Sequence, residues 1–109
     1  MYDISIMQGE LEAFLTKLSQ AVPDRVNSVA QSVKLQEEVK ELLADVAKDV
    51  DIVPEIADVI IVCLVLANLH GAAVEEVLFE VENKLVRNAQ RDWYPTESGT
   101  ARHTPEVML

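Results

Sequence analysis

Apolar residues recur at helical spacing in four successive stretches of the chain. Ile4, Met7, Leu11, Phe14, Leu15, Leu18 and Val22 predict an amphipathic helix from about Ile4 to Ala21. Gly9 weakens it slightly, and Pro23-Asp24 ends it. Leu35, Val39, Leu42, Leu43 and Val46 mark the buried stripe of a second helix, about Val29 to Lys48. Asn27 or Ser28 can cap it, and Ser28 with Gln31 has capping-box spacing. A third helix is expected from about Pro54, suited to a first turn, to His70, with Gly71 as its C-terminal stop. Val74, Val77, Leu78, Val81 and Leu85 form the stripe of a fourth, about Ala73 to Arg91. From Asp92 the periodicity stops. The pattern gives an all-α domain over residues 1–92 and a loop-rich or partly disordered tail over residues 93–109.

The third helix stands apart, because it is apolar on nearly every side from Ile56 to Leu69. The β-branched run Val59 to Val62 would also suit a strand, but length, Pro54 and Gly71 favour a helix. Three short partner helices do not easily cover a helix without a polar face. A homo-oligomer is therefore expected, most simply a dimer with the third helices near its centre. Cys63 lies within this segment and reads as a buried thiol; being alone, it excludes an intrachain disulfide. His70 reads as a helix-terminal residue interacting with the last carbonyls.

Charge narrows the partners. The formal net charge is −10, from 19 acids against 9 Lys and Arg. Duplex nucleic acid and anionic membranes both call for a basic face, so neither is expected as a partner. The longest apolar run, Val59 to Ala67, is far shorter than the roughly 20 residues that cross a bilayer. Acids occur early and no signal pattern opens the chain, so a cytoplasmic location is expected.

The acids themselves are patterned. Glu37-Glu38-Val39-Lys40-Glu41 is followed, after a spacer, by Glu55-Ile56-Ala57-Asp58. Glu38 with Glu41, and Glu55 with Asp58, lie three apart and so on one face of their helices. Glu38, Glu41 and Asp45 run along one flank of the second helix, with Lys34 a turn before them, while Glu37 points to water. Two facing helices would bring four carboxylates to one point, where only a cation relieves their repulsion; magnesium prefers such oxygen ligands. On the fourth helix Lys84, Asn88 and Arg91 share a flank beside Arg87. Alone they are a C-terminal charge cluster; beside a carboxylate–metal site they are natural phosphate ligands. Trp93 can pack on the core or stack on a base.

The acidic signature resembles that of the MazG-like, all-α nucleoside triphosphate pyrophosphohydrolases. The resemblance runs on through Ala67-Asn68-Leu69-His70-Gly71 and through Asn83-Lys84-x-x-Arg87-Asn88-x-x-Arg91-x-Trp93, covering roughly Lys34 to Trp93. It implies a four-helix MazG-like bundle completed by dimerisation, as a homodimer or a dimer of dimers. It implies cleavage of (d)NTP to (d)NMP and pyrophosphate with Mg2+, or Mn2+ in its place, as house-cleaning of the nucleotide pool. The family's metal ligands carry over to Glu38, Glu41, Glu55 and Asp58, with Glu37 and Lys34 supporting them. Glu38 or Glu41 would accept the proton of the attacking water, and Lys84, Asn88, Arg91 and Trp93 match the substrate-contacting segment. Lys40 departs from the small residue of many relatives.

Three other classes compete. A phosphoribosyl-ATP pyrophosphohydrolase shares the acids, but the segment Lys84 to Trp93 argues against it. A di-iron bundle would need Glu-x-x-His pairs, and neither His70 nor His103 lies three residues after a Glu. A non-catalytic acidic helical interaction protein would show no metal-dependent stability.

Overall fold

The computed structural model describes residues 3–105 and places four helices where the apolar periodicity does. They are α1 (Ile4–Ala21), α2 (Ser28–Ala47), α3 (Val53–Leu69) and α4 (Val74–Gln90). The chain divides into two compact units, Met1–Val77 and Leu78–Leu109, the division falling within α4.

In the first unit each boundary has a local cause. Asp3 caps α1 by accepting from the Ser5 N–H, and Pro23–Arg25 forms a 3-10 turn after it. Asn27, not Ser28, is the cap of α2: its side chain accepts from the Ala30 N–H at 2.9 Å. Ser28 instead bonds His70 Nε2 at 2.9 Å, so the His70 imidazole meets a hydroxyl while only its backbone N–H reaches the last α3 carbonyls. The turn into α3 uses Asp49 at φ +56°, a conformation Asp tolerates better than most residues. Asp51 then accepts from the Val53 N–H at the start of α3. Gly71, at φ +87°, ends α3: its N–H bonds Asn68 O, and the Ala72 N–H bonds Ala67 O, which satisfies two end carbonyls. Gln8 of α1 accepts from the Val74 N–H at 2.8 Å, anchoring the first turn of α4.

α3 packs chiefly on α2 and also meets α1. The buried apolar residues are Leu11, Val62, Leu64, Val65 and Val74. The covered stripe of α2 runs through Gln31, Leu35, Glu38, Leu42 and Asp45, rotated toward the acids from the expected one, for Leu43 and Val46 are exposed. On α3 the stripe Ile56, Ile60 and Cys63 is uncovered, so the thiol expected to be buried is exposed. One chain supplies neighbours for only one side of this helix. No single helix among the described residues is long and apolar enough to cross a membrane.

In the second unit Val81 and Leu85, expected in a buried stripe, are exposed. The segment expected to be loop-rich carries two short antiparallel strands, β1 (Trp93–Pro95) and β2 (Ala101–His103), pairing Trp93 with His103 and Pro95 with Ala101. Gly99 at φ +86° turns the chain between them, and Thr96 ties the turn through Thr100 O. Strands this short leave no readable alternation in sequence. The part of the expected tail over residues 106–109 lies outside the described residues.

Candidate metal centre

The acids occupy positions that would otherwise be apolar. On α2, Glu38 sits between Leu35 and Leu42 on the covered stripe, at i+3 and i+7 of the helical repeat. On α3, Glu55 and Asp58 continue the buried line of Val62 and Val65 toward the helix start. Because α2 packs on α3, these two lines face each other. One oxygen each from Glu38, Glu55 and Asp58 falls within 4.8 Å of the others. Glu38 is buried, Glu55 half-buried and Asp58 open to solvent, so the cluster has a dry side and a wet side.

Its electrostatics are unresolved within the chain. Lys34 Nζ meets Glu38 Oε1 at 2.9 Å, and this hydrogen bond, ahead of any other influence, holds the Glu38 carboxyl below the ordinary range. The same contact raises the Lys34 ammonium. The second oxygen of Glu38, and that of Glu55, are buried with no hydrogen-bond partner among the described residues. Burial, then the charges of Asp45, Asp58, Glu41 and Glu38, push the Glu55 carboxyl up. Glu41 is raised first by the charge of Glu38, then by desolvation. Buried carboxylate oxygens are almost always satisfied, and orphaned ones beside other acids call for a cation. The all-oxygen donor set suits a hard divalent ion such as magnesium or manganese.

The other predicted residues are distributed as follows. Glu41 is exposed and outside the three-oxygen cluster, though electrostatically coupled to it. Glu37 is exposed on the rim. Asp45, which spacing places on the flank of Glu38 and Glu41 but which was not expected as a ligand, is half-buried and is the charge that acts most strongly on Glu55. Lys84, Asn88, Arg91 and Trp93 belong to the second unit. There Arg91 Nη1 donates to Asn88 Oδ1 at 3.1 Å, and the Trp93 indole N–H donates to the Asn88 carbonyl at 2.8 Å. The Trp93 ring meets His103 edge-on at 5.6 Å. Lys84 is exposed.

Beside the acids, within the first unit, lies a cavity of about 780 Å³. Glu38 and Asp58 border it, and Phe14, Leu18, Gln31 and Val65 line it farther along. That volume lies within the roughly 300–1,000 Å³ of small-molecule sites.

A helical hairpin that gathers three carboxylates beside a cavity of nucleotide size suits metal-dependent hydrolysis of phosphate compounds. No family model matches the chain. It is 38% identical over 104 residues to a dATP/dGTP diphosphohydrolase of Cyanophage S-2L, a match covering 94% of this chain and 89% of the relative. Its fold also matches the solved structure of the Cyanophage S-2L MazG-like pyrophosphohydrolase bound to dGDP and three catalytic Mn2+ ions per active site. There the TM-score is 0.68 at 33% identity, covering 96% of this chain and 95% of that one. The chain belongs to the MazG-like pyrophosphohydrolase family, and is accordingly a hydrolase acting on phosphoric anhydride bonds of nucleotides.

Proposed function

We propose that the chain hydrolyses deoxynucleoside triphosphates to the monophosphate and pyrophosphate, using magnesium or manganese held by Glu38, Glu55 and Asp58 with Glu41 beside them. The observation that carries this is the pair of buried, unpartnered oxygens on Glu38 and Glu55, facing each other across two packed helices. The Cyanophage S-2L relatives, named for dATP and dGTP and holding manganese, support the same cofactor and a purine deoxynucleotide substrate.

A bound divalent cation supplies charge neutralisation on the phosphate oxygens and makes water a better nucleophile. The residues of the chain do the rest. Lys34 holds the Glu38 carboxyl in place through a single oxygen, which leaves the other directed at the cluster. Of Glu38 and Glu41, the two candidates for accepting the proton of the attacking water, Glu41 fits better. It lies outside the three-oxygen cluster, which leaves its carboxylate uncommitted to the cation. Lys84, Asn88 and Arg91 are proposed as phosphate contacts on the strength of their charge and of the family's basic segment.

The proposed unit of function is a homodimer, with a dimer of dimers as the next level. The uncovered apolar stripe Ile56, Ile60 and Cys63 supports it, since such a surface is costly in water. The proposed role is house-cleaning of a cytoplasmic nucleotide pool. A panel of (d)NTPs with magnesium, resolved by product chromatography, tests the activity. Monophosphate and pyrophosphate are expected; release of orthophosphate contradicts it.

A further inference from the structure

The cavity beside the acids joins two kinds of surface. Glu38 and Asp58 border it where phosphates would meet a cation. The rest of its wall includes Phe14 from α1, Val29 and Val33 from α2, and Ile61 from α3. These four are large apolar side chains left exposed, by 42%, 78%, 51% and 42%. Apolar residues exposed singly are ordinary; three helices turning them toward one cavity make a patch that suits a ligand. Phe14 stands out among the four. It lies one turn from Leu11 and from Leu18, which are buried and half-buried, so it occupies the edge of the packed stripe of α1. It is the only Phe, Tyr or Trp among the described residues of the first unit. Trp93, the other aromatic residue considered for a base, belongs to the second unit, and its ring already meets His103.

Resting on the proposed nucleotide hydrolysis, we propose that Phe14 is the platform on which a purine base of the substrate stacks, and so a specificity-determining residue of the site. A nucleotide is anionic at its phosphates and flat and apolar-faced at its base, the same division that the cavity wall shows. The spacing agrees. Val33 and Val29 precede Glu38 by five and nine residues on α2, about 7.5 and 13.5 Å along the axis, which leaves room for a sugar between cation and base. A base laid on an aromatic face gains stacking that the aliphatic residues around it do not supply. A bicyclic purine covers more of the ring and of the aliphatic wall than a pyrimidine does, so the platform favours purines. Stacking reads the face of the base and not its edge, so exocyclic groups matter little to it.

The test uses the full chain with magnesium and four triphosphates: dATP, dGTP, dCTP, and 1′,2′-dideoxyribose 5′-triphosphate, which has no base and is measured as substrate or as competitor of dATP. The wild type is expected to favour dATP and dGTP over dCTP in kcat/KM. Phe14→Ala should raise KM for dATP and dGTP about tenfold with kcat unchanged, while the base-free compound binds as it does to the wild type. Phe14→Tyr, which keeps the ring, should hold KM near the wild-type value. If Phe14→Ala does not fold, Phe14→Leu, which fills the space without a flat ring, takes its place. An unchanged KM for dATP and dGTP in the folded variant overturns the assignment, as does an equal loss with the base-free compound or equal wild-type kcat/KM for dATP, dGTP and dCTP. A fall in oligomeric mass by analytical ultracentrifugation with KM unchanged overturns it too, and gives the face to a second copy of the chain. Each of these leaves the hydrolase reading standing; failure of the wild type to hydrolyse any of the nucleotides overturns both.

Discussion

Two adjacent glutamate pairs occur on helices of this chain, and they meet different fates. Glu75-Glu76 opens α4. Both residues are exposed, and the Glu76 carboxylate accepts from the Ala73 N–H at 3.3 Å, a first-turn role. Glu37-Glu38 lies in the middle of α2. Glu37 is exposed, but Glu38 is buried among apolar neighbours, opposite Glu55 and Asp58, with one oxygen unpartnered. The dipeptide is the same; what differs is whether the partner helix brings further acids. Acids at a helix start relieve an existing dipole. Acids on a packed stripe create a charge problem that only a ligand solves.

The largest expected effect separates the pairs directly. Glu38→Gln or Asp58→Asn should lower turnover by about 10²–10⁴-fold, with unchanged helical content by circular dichroism. Glu75→Gln should leave kcat/KM at the wild-type value. Next comes metal. Magnesium at a hundredfold excess over its Kd should stabilise the protein by about 2.7 kcal/mol, read as a rise in Tm. Glu38→Gln should shrink that rise, whereas Glu75→Gln should not.

A pH series sharpens the same contrast. The Glu41 and Glu55 carboxyls are raised in the folded protein above their ordinary 4.5. Their stabilising contribution is therefore fully present below that value and is lost as pH rises through the raised folded values. A cation binds the ionised forms and restores the loss. The gain in Tm on adding magnesium should thus grow as pH rises from 4.5 through the raised folded values. A flat gain would contradict the assignment of Glu41 and Glu55 to the coupled cluster. The smallest effect is expected at the other pair: Glu76→Ala should cost about 0.5–1 kcal/mol of stability by denaturant unfolding, with kcat unchanged.

Much of this was legible in the residues because the signals were local. Pro54, Gly71 and Asn27 set helix limits through backbone geometry and capping, which do not depend on distant partners. The i, i+3 acids were visible for the same reason. Less legible was everything that depends on which helix covers which face. The stripe of α2 is rotated toward Glu38 and Asp45, away from Leu43 and Val46, because α3 packs on that side. Glu41, equal to Glu38 by spacing, lies outside the three-oxygen cluster. Cys63 shares an apolar run with Val62 and Leu64, yet it alone of the three is exposed, since a helix turns about 100° per residue. The β1–β2 hairpin was hidden by strands too short to show a period.

The most direct test is anomalous diffraction from crystals grown with manganese. A strong peak between the Glu38, Glu55 and Asp58 carboxylates, absent in Glu38→Gln crystals, is the predicted result. A structure at saturating manganese with those three side chains turned apart and no peak among them would contradict it.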